Sequence, residues 1–418
     1  MADKSVLIVG AGIAGITAAL RLARNNFKVY LIDREAYIGG QAISYNCIGV
    51  ENCNKCSVCL LQRRVREIEE YFPNILIKVN SEIEEVKNSK DKFDVTLKKG
   101  FSIINPDLCQ GCGLCKKVCP SSAITVSHPQ SIPRTYKVNP ENCLKINGEE
   151  DCRKCIDVCP FRAIDFNSII KEETLSDISA IILTTGFEPW DPTAKAEYGY
   201  RENKNVITAS DFKHKLYMNG HICRPSDQKI PKKIAIIQCV GSRDRSINNQ
   251  NCSRICCGYG IQMGRLLKEQ DPEVEVSIFY MDIQPFGKEF NKTFNESKKD
   301  FNIKYLKSIP SQITENEEGK VIIKYENPKN GNIEKQYFDL AILSIATNPA
   351  KKFGKLAEKL NVWVNDSGFC EIPNYMQGNK TNKTGVFVAG TSLGPKDINE
   401  CIANAENAAL EVMLYLNK

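Results

Sequence analysis

The sequence predicts an α/β fold assembled from βαβ units and interrupted by a small, cysteine-rich α+β insertion. Three observations predict it. Residues 5–33 run from SVLIV through the turn GAGIAG and an Ala/Leu/Ile-patterned helix to KVYLID, the order of one βαβ unit. Near residue 105 the sequence changes abruptly to short, Pro-punctuated, cysteine-rich stretches, and it changes back by about 168. From Lys233 a second βαβ-like stretch appears, KIAIIQCVGS, a helix through about Glu269 and VEVSIFYM.

In the first unit, Gly10 permits the tight turn, Gly12 lets backbone amides approach a pyrophosphate, and Gly15 lets the helix pack on the strand. The free N–H groups and dipole of the helix N-terminus favour the anion. Asp33, 18 residues beyond Gly15 at the end of the second strand, suits a ribose hydroxyl. GxGxxG alone is a weak signal, but its strand–turn–helix context and acidic partner strengthen it. The unit is therefore Rossmann-type and dinucleotide-binding.

From Ile75 to Leu97 the β-type alternation of ILIKV and FDVTL, with a polar turn between them, predicts a β-meander. AIILTTG at 180–186 reads as a buried strand ending in a small-residue turn, and AILSIATN at 341–348 repeats its form. The C-terminal stretch from Gly385 is a strand, a glycine turn and a long amphipathic helix. The predicted boundaries are 1–104, 169–230 and 346–418 for the discontinuous dinucleotide domain, 105–168 for the insertion and 231–345 for a degenerate nucleotide-binding-like domain.

Composition narrows the function. The hydrophobic share of 42% is that of an ordinary soluble globular protein, and the net charge of +6 is scattered, which argues against a nucleic-acid surface. No secretion or lipidation signal and no apolar run of transmembrane length is present, so the expected location is the cytoplasm. There, thiols stay reduced, and 19 cysteines point to metal or redox chemistry.

The strongest motif is CQGCGLCKKVCP, which supplies Cys109, Cys112, Cys115 and Cys119 in the spacing of bacterial two-cluster ferredoxins. A second copy supplies Cys143, Cys152, Cys155 and Cys159, with an unusually long gap after Cys143. In such repeats the fourth thiolate crosses to the other cluster. Cluster one is expected on Cys109, Cys112, Cys115 and Cys159, and cluster two on Cys143, Cys152, Cys155 and Cys119. Zinc sites usually pair two CxxC knuckles and do not need the CP ending. A third set is Cys239, Cys252, Cys256 and Cys257, which on spacing alone suits either a cluster or buried thiols. A fourth, Cys47, Cys53, Cys56 and Cys59, suits a [4Fe–4S] cluster, zinc or a redox disulfide, with a cluster favoured. Cys223, Cys370 and Cys401 read as buried apolar residues. His128, His214 and His221 are isolated and suit surface or capping roles; no Ser–His–Asp or Cys–His pattern supports hydrolysis.

Gly39-Gly40-Gln41, TTGFEP near 184 and GVFVAG at 385 resemble the thioredoxin-reductase-like flavoproteins, which implies FAD rather than NAD at the first glycine turn. The second fingerprint of those reductases should follow the strand at 234–238, but Cys239-Val240-Gly241-Ser242-Arg243 lacks the three glycines, so a nicotinamide site is not expected. QCVGSRD, then CSRICC thirteen residues after Cys239, then IFYMDIQPFGKEF and AGTSLGPKDI, resemble the heterodisulfide reductase A-subunit family across essentially all 418 residues. The resemblance implies a thioredoxin-reductase-like flavoprotein with an inserted two-cluster ferredoxin domain, and a cluster near the flavin on Cys239, Cys252, Cys256 and Cys257.

The candidate flavin-binding residues are Gly10, Gly12, Ile13, Ala14, Gly15, Asp33, Arg34, Gly39, Gly40, Gln41, Thr185, Gly186, Gln262, Gly390, Lys396, Asp397 and Ile398. No residue is singled out as catalytic. In this family the flavin distributes electrons inside a larger complex, which implies other subunits of that complex as partners, with ferredoxin, a hydrogenase or a dehydrogenase module, and a homodimer as an assembly. The chain looks like the short forms, including the quinone-interacting oxidoreductase relatives, for which the expectation is electron relay without bifurcation. Rivals of other classes are a self-sufficient NAD(P)H-dependent reductase and a structural zinc scaffold. Bifurcating relatives commonly carry Lys at the fifth position after the paired cysteines; here it is Gln262, with Arg243 and Arg254 as cations nearby.

Overall fold

In this computed structural model, residues 4–44, 58–89, 91–99, 103–126, 135–149, 151–167, 171–286, 289–374, 376 and 378–417 are described. The apolar run Ser5–Val9 forms β1, buried throughout because both faces of its sheet are covered. Helix α1 (Ile13–Ala23) returns the chain to β2 (Lys28–Ile32), which pairs parallel with β1. Helix α2 (Val58–Glu67) then leads to β3 (Ile75–Lys78), β4 (Ser81–Ser89) and β5 (Lys92–Lys99).

The expected meander is only a hairpin. β4 and β5 pair antiparallel, but β3 joins β2 in parallel. The break falls at Asn80, whose backbone is left-handed (φ 50°) and whose N–H donates to Glu35 O, so the chain leaves the β3 line before β4 begins.

The insertion holds α3 (Leu114–Val118), β6 (Ile124–Val126), β7 (Tyr136–Val138) and α4 (Lys154–Asp157). Ile104 bridges Ile164, so the small core of this unit starts just before residue 105. The chain returns as β8 (Lys171–Leu183), whose beginning pairs antiparallel with β5 and whose end lies parallel between β1 and a late strand. It continues through β9 (Phe187–Pro189), β10 (Val206–Thr208), α5 (Ala209–Asn219), β11 (Lys233–Val240), α6 (Cys256–Gln270), β12 (Glu275–Phe279), α7 (Phe290–Lys299) and β13 (Lys304–Leu306). A three-stranded antiparallel sheet, β14 (Pro310–Glu315), β15 (Val321–Glu326) and β16 (Ile333–Phe338), precedes β17 (Leu340–Ile345) and β18 (Thr347–Pro349). Helix α8 (Phe353–Leu360), β19 (Val386–Val388) and α9 (Ile398–Leu416) complete the chain, β19 closing on β8.

Two parallel cores result. In the first, Val6 and Ile8 face α1 and α9, while Leu7 and Val9 face the β4–β5 hairpin and α8. In the second, the strand order is β10-β17-β11-β12-β13; Ile234 and Ile236 face α5 and α6, and Ala235 and Ile237 face the antiparallel sheet. The similar forms at 180–189 and 341–349 meet: β9 and β18 pair antiparallel and join the two units. Among the described residues no helix is long and apolar enough to cross a membrane.

Candidate flavin and iron–sulfur sites

The first glycine turn shows why each glycine stands where it does. Gly10 has φ 107°, and a methyl there would overlap the Thr184 carbonyl; one at Gly15 would overlap the Gly10 carbonyl. At Gly12 a methyl would meet only Gly40 Cα, at 3.9 Å. Protein packing demands the outer two glycines, whereas Gly12 borders space that the chain leaves unfilled, as a pyrophosphate cradle requires. Ile13 and Ala14 open α1 behind it.

Asp33 accepts N–H groups from Ala11 (2.6 Å) and Glu35 (2.9 Å), so it ties β2 to the glycine turn. Burial pushes its carboxyl up to about 6 despite those two donors. Arg34 is engaged by Glu188 at 2.7 Å and by Glu35. Gly39 donates to Ala11 O, and Gly40 and Gln41 follow directly. On the other side, the Thr185 hydroxyl lies 3.0 Å from that of Ser392, Gly186 follows with φ 76°, and the Gly390 N–H donates to Asn404. Asp397 caps α9 through a box with Glu400, a local role that the sequence reading missed although Asp-x-x-Glu signals it. Ile398 opens that helix, and burial lowers the Lys396 ammonium pKa.

In the insertion, one hollow is lined by Cys109, Cys112, Cys115 and Cys159, together with Ile104, Tyr136 and Ile164. A second is lined by Cys119, Cys143, Cys152 and Cys155, with Ile124, Val138 and Phe166. Each takes one cysteine from the other repeat. The thiols ring these volumes rather than meet at a point: among the described residues no three donors lie close enough to share a single ion. N–H and O–H groups point at the crossing sulfurs, Ala163 N–H at Cys159 (3.4 Å) and the Ser121 hydroxyl near Cys119 (3.7 Å). Thr135, fully buried, donates to Ala36 O beside the glycine turn and so fastens the insertion to the dinucleotide domain.

The third set gathers at the carboxyl ends of β11 and β17. Cys239, Cys252, Cys256 and Cys257 lie within electrostatic reach of one another. Burial pushes the Cys239 and Cys256 thiols up to about 12; the neighbouring thiols raise both further, while the Arg243 guanidinium opposes the rise at Cys239. Cys252 accepts the Arg254 N–H (3.3 Å) and Cys257 that of Gln284 (3.5 Å). The backbone is left-handed at Cys239, Arg243 and Arg254, a concentration of strain typical of functional loops. Arg243 grips Asp282 with two hydrogen bonds and holds its carboxyl below the usual range. Arg254 lies over the Phe286 ring at 4.9 Å and is ion-paired to Glu400 of α9, which connects the cysteine loop to the PKDI segment. Asp282, Gln284 and Glu400 were not anticipated from sequence; MDIQPF was informative only as a marker of the resemblance. Gln262 lies one turn along α6, partly buried.

In the fourth set, Cys59 is exposed near the start of α2, and Cys47, Cys53 and Cys56 lie outside the described residues, as does His128. Cys370 and Cys401 are buried, but Cys223 is not: it sits half-exposed in the loop before β11, where no sheet covers it. His214 and His221 are exposed.

The profile of the NAD(P)-binding Rossmann-like domain matches residues 8–64, and that of the 4Fe-4S dicluster domain matches residues 108–167. Among solved structures, thioredoxin reductase from Lactococcus lactis covers 99% of both chains with a TM-score of 0.55 at 16% identity. That of T. acidophilum, likewise 99% of both, scores 0.52 at 17%. These share the fold. The iron-sulfur A-subunit of CoB--CoM heterodisulfide reductase from Methanocaldococcus jannaschii is 33% identical over 99% of this chain and 64% of its own length. The A-subunit of the H(2)/formate:CoB-CoM heterodisulfide,ferredoxin reductase from Methanococcus maripaludis is 34% identical over all of this chain and 65% of its own. The chain thus spans a little under two thirds of these relatives, and over that span it belongs to the heterodisulfide reductase A-subunit family.

Proposed function

We propose that this chain is the FAD- and iron–sulfur-bearing electron-transfer subunit of a heterodisulfide-reductase-type complex. The observation that carries the reading is the pair of hollows in the insertion, each ringed by four cysteines with one contributed by the opposite repeat. Two-cluster ferredoxins are built this way. FAD supplies conversion between two-electron and one-electron transfer. The chain's own residues hold and insulate the carriers. The Gly10–Gly15 turn and the α1 N-terminus receive a pyrophosphate, and Thr185, Gly186, Gly390 and the PKDI segment border the same site. Ile104, Tyr136, Ile124 and Phe166 shield the cysteine hollows from water. The Thr135–Ala36 bond and the Arg254–Glu400 pair keep the insertion and the third cysteine set in fixed relation to the glycine turn. Partners are the other subunits of such a complex, with ferredoxin or a hydrogenase or dehydrogenase module as further electron-transfer partners.

The test is anaerobic purification with flavin and metal analysis. One FAD and roughly 16 iron atoms per chain are expected if all four cysteine sets hold cubes, one thiolate per iron. About 8 would leave only the ferredoxin pair, and absence of iron or FAD would defeat the proposal. Stoichiometric zinc would reassign the set at Cys47 to Cys59.

A specific observation favours relay over bifurcation. Gln262 stands where bifurcating relatives commonly have Lys, and Arg243 and Arg254, the cations that could replace it, are already paired to Asp282 and Glu400.

A further inference from the structure

Buried polar side chains almost always find a hydrogen-bond partner, and one left without costs about 1–3 kcal/mol. Among the described residues, the buried side-chain atoms lacking a partner gather in one place: Gln238 Nε2 and Oε1, Ser242 Oγ, Ser344 Oγ and Thr347 Oγ1, apart from single atoms of Asn80, Arg224 and Arg265 elsewhere. Gln238, Ser242 and Ser344 are 4%, 2% and 1% exposed, so water does not satisfy them from outside.

Their placement follows from the sheet. Ile236 pairs with Ile342 and Ile237 with Leu343 across β11 and β17. Ile234, Ile236, Leu340 and Ile342 all face α6, so strand alternation puts Gln238 and Ser344 on that same face at the carboxyl end, where the register of the two strands shifts between Ile237 and Val240. The helix above them begins with Cys256 and Cys257. A methyl on Gly260, one turn from Cys256, would overlap the Gln238 amide nitrogen, so this amide lies directly under the first turn of α6. The Ser242 N–H donates to Cys239 O, and the Thr347 N–H donates to Ser253 beside Cys252. The orphaned groups therefore lie on the strand ends and loops that carry or adjoin the four cysteines, which no glycine fingerprint adapts to a nucleotide.

We infer that Gln238, Ser242, Ser344 and Thr347 form a hydrogen-bond shell that donates to the sulfides and thiolates of a [4Fe–4S] cluster held by Cys239, Cys252, Cys256 and Cys257. This rests on the assignment of a cluster to that set. An amide N–H and three hydroxyls are donors matched to anionic sulfur; each hydroxyl has a single O–H, so one that turns to Gln238 Oε1 leaves the amide and the other two for the cluster. Hydrogen bonds to cluster sulfur stabilise the more negative, reduced state and raise the potential. The shell thereby makes this cluster easier to reduce than the same four thiolates would in an apolar pocket, and these are positioning residues acting through the cluster.

The experiment uses the full chain purified anaerobically, with the signal of this cluster identified by its loss in Cys256→Ala. Midpoint potentials are read by EPR-monitored titration for wild type, Ser344→Ala, Ser242→Ala and Gln238→Leu. Deuteron couplings to the cluster are read by ENDOR after exchange of wild type into D2O. The expected result is a negative shift of this cluster's midpoint in each variant with the ferredoxin-pair midpoints unmoved, and exchangeable deuterons coupled in wild type that decrease in Ser344→Ala. A retained cluster with unmoved midpoint and unchanged couplings overturns the shell alone. A wild-type spectrum that Cys256→Ala does not alter overturns both the shell and the cluster assignment. If Gln238→Leu loses the cluster, the smaller serine variants and the wild-type couplings decide.

Discussion

At Gly15 an added methyl would overlap the Gly10 carbonyl, while at Gly12 it would touch only Gly40 Cα at 3.9 Å. The two substitutions should therefore fail differently. Gly15→Ala forces α1 off β1 and lowers stability by several kcal/mol, on the order of other backbone overpacking lesions. Gly12→Val leaves a folded chain that purifies without flavin, because its branches fill the cradle. Thermal melting together with the flavin absorption spectrum checks both, and a folded Gly12→Val protein with a full flavin spectrum would falsify the placement. The glycine spacing was readable from sequence; the distinction between packing glycine and ligand glycine was not, since it depends on Thr184 and Gly40 approaching from distant chain. Asp33 is similar. Its position after β2 was legible, but its grip on the Ala11 and Glu35 N–H groups, and the rise of its carboxyl to about 6 through burial, are tertiary facts.

Among the elements, the insertion was the most legible, because a repeated Cys-Pro motif encodes both ligand spacing and the chain reversal after it. Cys119 and Cys159 each close the hollow of the opposite repeat. Cys119→Ala should consequently disturb the cluster on Cys143, Cys152 and Cys155, and Cys159→Ala that on Cys109, Cys112 and Cys115. EPR of singly and doubly reduced protein checks this through loss of the spin–spin interaction in both variants, with different residual signals. Identical residual signals would show that the thiols do not cross. The β-meander failed for an equally local reason. ILIK and FDVTL have the alternation of neighbouring strands, yet alternation does not encode pairing partners, and the left-handed turn at Asn80 diverts the chain after β3 has joined β2.

On the scale of the whole molecule, Arg254 and Glu400, residues 146 positions apart, join the third cysteine set to α9 and the PKDI segment. That pairing and the Arg243–Asp282 pair engage the two cations that could stand in for the charge Gln262 lacks. With both nearby arginines neutralised by carboxylates, an uncharged Gln262 leaves little to separate the two one-electron potentials of a bound flavin. Redox titration should show uncrossed or weakly crossed potentials in wild type and a more strongly stabilised anionic reduced flavin in Gln262→Lys. Strong crossing in wild type, unchanged by the substitution, would make bifurcation the better account. By itself the sequence determined what is encoded locally: the glycine turn, the cysteine repeats and the alternating strands, whose chemistry depends on residues a few positions apart. Only the tertiary structure decided which β-strands pair, how Arg243 and Arg254 are engaged, and that Gln238 and Ser344 are buried without partners at the carboxyl ends of β11 and β17. Each of those depends on groups brought together by parallel strands and their crossovers, where neighbours in space are remote in the chain and no spacing rule connects them.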